Sequence, residues 1–81
     1  MKIIKFYSDT CGPCRVLDAN LKKLGVKYES INVNEDTGFD MIDKYKIQSV
    51  PVLIKEDDNG NVIARHNGLL NIEQLKEWLN G

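Results

Sequence analysis

An α/β chain of element order βαβαββα, with a four-stranded mixed sheet and helices on both of its faces, is the fold class that this sequence predicts. Three observations carry that expectation. The β-branched and aromatic opening "KIIKFY" runs straight into a segment with apolar residues at helical spacing. Two strand-like runs, "PVLIKE" and "NVIARH", are separated by "DDNG", in which Asn59-Gly60 is a strong hairpin signal. Near the end, Asn71 with Gln74 three residues on resembles a capping box in front of a last amphipathic stretch.

Taken in order, Lys2 to Tyr7 reads as a buried first strand. In "GPCRVLDANLKKLG", Leu17, Leu21 and Leu24 fall at i, i+4 and i+7, one stripe of a helix that Gly25 should end. "VKYESINV" reads as the second strand. Thr37 is the candidate cap of a short second helix carrying Phe39, Ile42 and Tyr45. Beyond the hairpin, the last helix sets Ile72, Leu75 and Leu79 on one face, with Trp78 beside them. The first two strands, joined through a helix, should be parallel with a right-handed crossover, and the hairpin adds an antiparallel pair. No linker, repeat or low-complexity stretch interrupts the 81 residues, so one domain over 1–81 is expected.

Eleven basic against twelve acidic residues leave a formal charge of -1, which argues against a nucleic-acid or membrane-surface footprint. The longest apolar run, Val50 to Ile54, falls far short of the ~20 residues that a spanning helix needs. The opening "MKIIKFYSDT" has no apolar region long enough for a secretory signal. A reducing cytoplasm is the expected setting.

Both cysteines, Cys11 and Cys14, sit at the junction of strand one and helix one, with Gly12-Pro13 between them. The loop they close is too small to constrain the unfolded chain much, so stapling explains them poorly. Proline is acceptable in a first helical turn, and the composition makes sense there. Cys11 then lies beside free backbone N–H groups and the positive end of the helix dipole, which favour thiolate by roughly 0.3–2 kcal/mol. Cys14 is about 300° further round and shares that face. Its sulfur should be the more buried of the two. The expected division of labour is attack by Cys11 on a substrate disulfide and resolution of the mixed disulfide by Cys14. Tetrahedral zinc takes about four ligands, and the chain offers two cysteines and His66, so no metal is expected. Inert structural cysteines are the other alternative.

At this point the chain resembles the thioredoxin-fold oxidoreductases, in the form of a small thioredoxin- or glutaredoxin-like redoxin. "CGPC" matches the thioredoxin active-site motif, "SVPVLI" the loop with the family's cis proline, and "GLLNIEQLKEWL" the closing glycine and amphipathic helix. The resemblance implies that Cys11 is the nucleophile and Cys14 the resolving thiol of a redox-active disulfide, with no bound cofactor. It makes Gly12 and Pro13 tuning residues, together with Thr10 where thioredoxins carry tryptophan. It implies a cis bond before Pro51, with Val50 offering backbone groups to an extended substrate segment. Gly68 resembles the family's glycine near the active site, and Tyr7, beside the motif, would line the same surface. Electrons would come from a thioredoxin reductase-like donor and pass to disulfide-containing proteins such as ribonucleotide reductase, the carrier working as a monomer. Relative to thioredoxin the sequence lacks the extra N-terminal strand and helix. That layout is closer to glutaredoxins and to the small redoxins that accept electrons from thioredoxin reductase.

There are departures from the pattern. Where the family carries a buried acid six residues before the first cysteine, this sequence has Lys5, whose amine is expected to reach solvent. Asp9 reads as an exposed loop charge, and His66 and Trp78 as structural. A glutathione-dependent glutaredoxin stays open as an alternative, although "HNGLLN" has one glycine where that branch has a pair, with Asn71 near the place of its glutathione-holding acid. A non-catalytic module gripping peptides along the Val50-Pro51 edge is the other.

Overall fold

The first strand, β1 (Lys2–Tyr7), lies inside the sheet rather than at its edge, and that placement governs what every later element covers. In the computed structural model, which describes residues 1–36 and 38–81 and carries position 37 only within the bounds of its helix, β1 is followed by α1 (Gly12–Lys23), β2 (Glu29–Asn32), α2 (Asp36–Tyr45), β3 (Val52–Glu56), β4 (Val62–Asn67) and α3 (Ile72–Asn80). The strand order is β2-β1-β3-β4. β1 runs parallel to β2, with Phe6 opposite Ile31, and antiparallel to β3, with Lys5 opposite Leu53. β3 and β4 form the antiparallel hairpin, with Leu53 opposite His66. The element order and the mixed sheet agree with the sequence reading.

Alternation along β1 sends Ile3 and Lys5 to one face and Ile4 and Phe6 to the other. On the first face, Ile3 and Leu53 pack with Leu17 and Leu21 of α1, Leu70, and Leu75 of α3. On the second, Ile4, Phe6, Val52 and Ile54 pack with Tyr45 and Ile47, flanked by Met41 and Ile42 of α2. The rings of Phe6 and Tyr45 meet edge to face, 5.6 Å between centroids. Helices therefore cover both faces of the sheet.

Local chemistry sets the boundaries. α1 stops at Gly25, which takes φ 69. The Gly25 N–H bonds the Lys22 carbonyl and the Val26 N–H bonds the Leu21 carbonyl, the paired bonds of a left-handed helix stop. This commits Val26 to the helix end, so β2 begins at Glu29 and is shorter than expected. In the hairpin turn, the Asp57 carboxylate accepts the N–H groups of Asn59 and Asn61, each at 2.9 Å. The capping box at α3 is present: Asn71 Oδ1 accepts the Gln74 N–H at 2.8 Å, and Gln74 Oε1 accepts the Asn71 N–H at 3.1 Å. α2 starts earlier than the expected Thr37 cap allows: its N-cap is Glu35, with extended backbone and no side-chain cap bond, so position 37 falls within the helix. Phe39 is 53% exposed. The inward stripe of α2 passes through Met41 and Tyr45, one turn apart, and Phe39, six residues before Tyr45, falls about 120° away from it.

Candidate active site

The site forms where β1 leaves the sheet and the chain enters α1. Three bonds order the connecting loop. The Cys11 N–H donates to the Ser8 carbonyl at 3.3 Å, the Arg15 guanidinium to the Asp9 carbonyl at 3.1 Å, and the Asn32 side-chain amide to the Asp9 carboxylate at 3.1 Å. Asp9 is exposed, as read from the sequence, but its carboxylate is engaged and ties the loop to the end of β2. Cys11 is the N-cap of α1 with extended backbone, and Gly12 and Pro13 occupy the first two helical positions. Its Sγ accepts the Cys14 N–H at 3.1 Å, a bond that an N-cap oxygen ordinarily takes. Cys11 and Cys14 are joined as a disulfide, with Cα atoms 5.2 Å apart. Cys11 is half-buried and Cys14 is 2% exposed, the order of accessibility that a leading and a following thiol require. No acidic residue stands in the first turn of α1 to oppose a negative charge there. Once the disulfide is reduced, a sulfur held in this cap is the one whose anion the helix end stabilises.

The antiparallel register brings Pro51 to the same end of the sheet. Val52 pairs with Phe6, so the residue before Val52 continues towards the loop after β1. The Val50–Pro51 peptide is cis. The Pro51 carbonyl accepts the Gly68 N–H at 2.8 Å, which fastens the segment after β4 beside it. Gly68 takes φ 103, while a Cβ built there would meet nothing within 4 Å. Glycine is favoured at this position by its backbone conformation. Thr10 and Val50 line one pocket of about 370 Å³ together with Ser8 and Val33. Tyr7 and Cys14 line another of about 440 Å³ with Lys5, Asp18 and Ser30. Gly12 and Pro13 are exposed at the start of α1.

Lys5 does not reach solvent. It is 4% exposed, with Nζ 2.7 Å from Asp18 Oδ1 and 4.9 and 5.3 Å from the ring centroids of Tyr7 and Tyr28. The cause is the interior position of β1: both faces of the strand are covered, and even a long side chain ends beneath α1. Asp18 also accepts the Tyr28 hydroxyl and, at 3.1 Å, the Lys22 ammonium. Burial works to raise the Asp18 pKa, but the hydrogen bonds from Lys5, Tyr28 and Lys22 outweigh it and hold the carboxyl well below the usual range. Burial, then the bond to Asp18, pushes the Tyr28 hydroxyl up to about 12. Sequence reasoning missed Asp18, although its spacing carried a signal: it lies four residues after Cys14, on the same face of α1.

Because the folded pKa of Asp18 lies beneath the unfolded value of ~3.9, its contribution to stability is complete above the unfolded value and is lost as pH falls from there through the folded one. Asp18→Asn is therefore expected to flatten the acid limb of stability. Between about pH 5 and pH 2, urea midpoints should fall more steeply for the native chain than for the variant.

Among the described residues, no group of three or more His, Cys, Asp or Glu is placed to hold a metal ion, and no helix is long and apolar enough to cross a membrane. Residues 1–81 match the family model described as Thioredoxin. The thioredoxin of Chlamydia pneumoniae is 32% identical over 81 residues, covering 96% of this chain and 78% of that protein. The chloroplastic thioredoxin-like protein CITRX2 of Nicotiana benthamiana is 32% identical over 84 residues, covering 96% of this chain and 46% of its own, so this chain spans about half the length of that relative. The crystal structure of Chlamydomonas reinhardtii thioredoxin f2 superposes with a TM-score of 0.81 over 96% of this chain and 74% of that one; at 24% identity the likeness bears on the fold alone.

Proposed function

The chain belongs to the thioredoxin family, and from that premise we propose that it is a thiol–disulfide oxidoreductase, reducing protein disulfides through Cys11 and Cys14. One observation carries the reading: the Cys11 sulfur caps α1 and accepts the Cys14 N–H, with Cys14 buried behind it. In the first step the Cys11 thiolate attacks a substrate disulfide R–S–S–R′, forms Cys11–S–S–R and releases R′–S⁻. In the second the Cys14 sulfur attacks Cys11, closes the intramolecular disulfide and releases the other substrate sulfur. Two electrons pass to the substrate, and an external dithiol restores the pair.

Val50 and Pro51 form the proposed docking edge, where backbone groups pair with an extended substrate segment. Thr10, Tyr7 and Gly68 border it, and Gly12 and Pro13 tune the cysteines between which they lie. A thioredoxin reductase is the proposed donor and the cytoplasm the proposed compartment, where dithiols are kept reduced.

A coupled assay tests this. Reduction of a protein disulfide should proceed with NADPH and thioredoxin reductase. Turnover only with NADPH, glutathione and glutathione reductase would move the chain to the glutathione-dependent branch. No turnover with either system would leave the peptide-binding module.

A further inference from the structure

The exchange scheme by itself gives no reason for an ammonium, a carboxylate and a phenol to be assembled beneath the resolving cysteine. To attack Cys11, Cys14 must pass through its thiolate, and at 2% exposure water solvates that anion poorly. A buried anion needs a compensating charge or hydrogen-bond donors. The pocket that Cys14 lines supplies one. Asp18 lies one turn along α1 from Cys14, a spacing of roughly 5–6 Å between Cβ atoms, and the Lys5 Nζ sits 2.7 Å from its Oδ1. The ammonium and the Cys14 side chain therefore border the same pocket, with the Asp18 carboxylate holding the ammonium on the α1 side of it.

The charges around this point do not cancel it. From α1 come Asp18, Arg15 and Lys22, the last two exposed. From β1 come Lys5 and Tyr7, from the loop Asp9, and from the segment before β2 Tyr28. His66 of β4 stands in the same cross-strand row as Lys5, with Leu53 between them. α3 contributes the apolar Leu75 and Trp78. Exposed charges are screened by solvent, which leaves Lys5 as the buried cation and Asp18 as the anchor that fixes it and partly offsets it.

Resting on the oxidoreductase reading, we propose that Lys5, positioned by Asp18, is the charge that makes the buried Cys14 a competent nucleophile towards Cys11. In the step it serves, Cys14–SH and Cys11–S–S–R become Cys11–S–S–Cys14 and R–SH. The bond between Cys11 and the substrate sulfur breaks, the bond between the two cysteines forms, and the proton of Cys14 ends on the departing substrate sulfur. Lys5 keeps its own proton and stabilises the intervening thiolate. Neither residue touches the substrate; Lys5 and Asp18 are positioning residues acting through Cys14.

The test titrates Cys14 in the reduced full chain through the ¹³C shift of its β-carbon, alongside the pre-steady-state rate of mixed-disulfide resolution. Lys5→Met keeps the apolar stem and removes the charge. It should move the Cys14 midpoint up by about one unit, a tenfold loss of thiolate at a given pH, and slow resolution by a similar factor. Asp18→Asn frees the ammonium from its counter-charge and should move the midpoint down, while Lys5→Arg should return it close to the native position. Midpoints that move in the same direction in Lys5→Met and Asp18→Asn, or that do not move in either, overturn the proposal. Should Lys5→Met fail to fold, Lys5→Gln takes its place, and an unchanged or lowered Cys14 midpoint in it sinks the idea. The titration needs no substrate, so it stands apart from the coupled assay. Turnover without a Cys14 shift removes the role of Lys5 and leaves the oxidoreductase reading intact, whereas the predicted shifts without turnover do the reverse.

Discussion

Cys14→Ser is expected to halt exchange halfway, with a disulfide-linked adduct between Cys11 and a protein substrate accumulating on a non-reducing gel. Cys11→Ser is expected to lose reduction on the order of 10³-fold or more and to trap nothing. The asymmetry follows from position. Cys11 caps the helix and is half-buried, open enough for a substrate disulfide to approach, while Cys14 is 2% exposed and its N–H already points at the Cys11 sulfur. In the native chain the second thiol waits one helical turn from the mixed disulfide, and its attack is intramolecular, with a high effective concentration. Serine at position 14 leaves the adduct open only to an external thiol, so added dithiothreitol should release it. Mass spectrometry of the trapped species must find the substrate on Cys11. Retained turnover in Cys11→Ser, or adducts formed through Cys14, would reverse the assignment and with it the proposed reaction sequence.

What could be read from the sequence was whatever local chemistry determines. The Asn71–Gln74 capping box, the Asn59-Gly60 turn and the stop at Gly25 each depend on a few neighbouring residues, and each is found where the sequence put it. The cysteine pair is legible for the same reason, since a helix start two residues wide is enough to specify it. Lys5 was misjudged because its fate depends on sheet order. A lysine on an edge strand can extend past the sheet, but β1 has a neighbour on each side and a helix layer on each face. Nothing within the hexapeptide Lys2–Tyr7 states that. Asp18 became visible as its partner only once α1 was laid over β1. Phe39 illustrates the opposite error. It was read on one short helix with Ile42 and Tyr45, yet its angle around α2 sets it outside the stripe defined by Met41 and Tyr45. The same limit hid Lys55 and Glu56, two consecutive charged residues at the end of an otherwise apolar strand. Both are buried, Lys55 at 1% and Glu56 at 4%, because β3 is also an interior strand. Alternation sends them to opposite faces: Glu56 accepts the Tyr45 hydroxyl beneath α2, and Lys55 reaches α3.

That last contact underlies the largest stability effect expected in this protein. A helix ends with carbonyls that lack intrahelical partners and with the negative pole of its dipole. At the end of α3, Lys55 Nζ donates to the carbonyls of Trp78 at 2.6 Å, Leu79 at 3.4 Å and Gly81 at 3.1 Å, and lies 4.9 Å from the centroid of the Trp78 ring. An ammonium has three donors, and all three are used. Lys55→Met keeps the apolar stem packed between β3 and α3 but leaves those carbonyls to find other partners at the rim of the core. Hydrogen bonds to a charged group contribute about 1.5–3 kcal/mol each and are not additive, so a loss of about 3 kcal/mol is expected. In a domain of this size that is a large share of the whole stability and corresponds to a fall in Tm of roughly 12–24 °C. Chemical denaturation should show the loss as a lower midpoint at unchanged slope. Hydrogen exchange should localise it, with protection falling first at the amides of the last turn of α3. A loss below about 1 kcal/mol would mean that water serves those carbonyls as well as the lysine does. The buried ammonium would then be tolerated at that helix end without holding it in place.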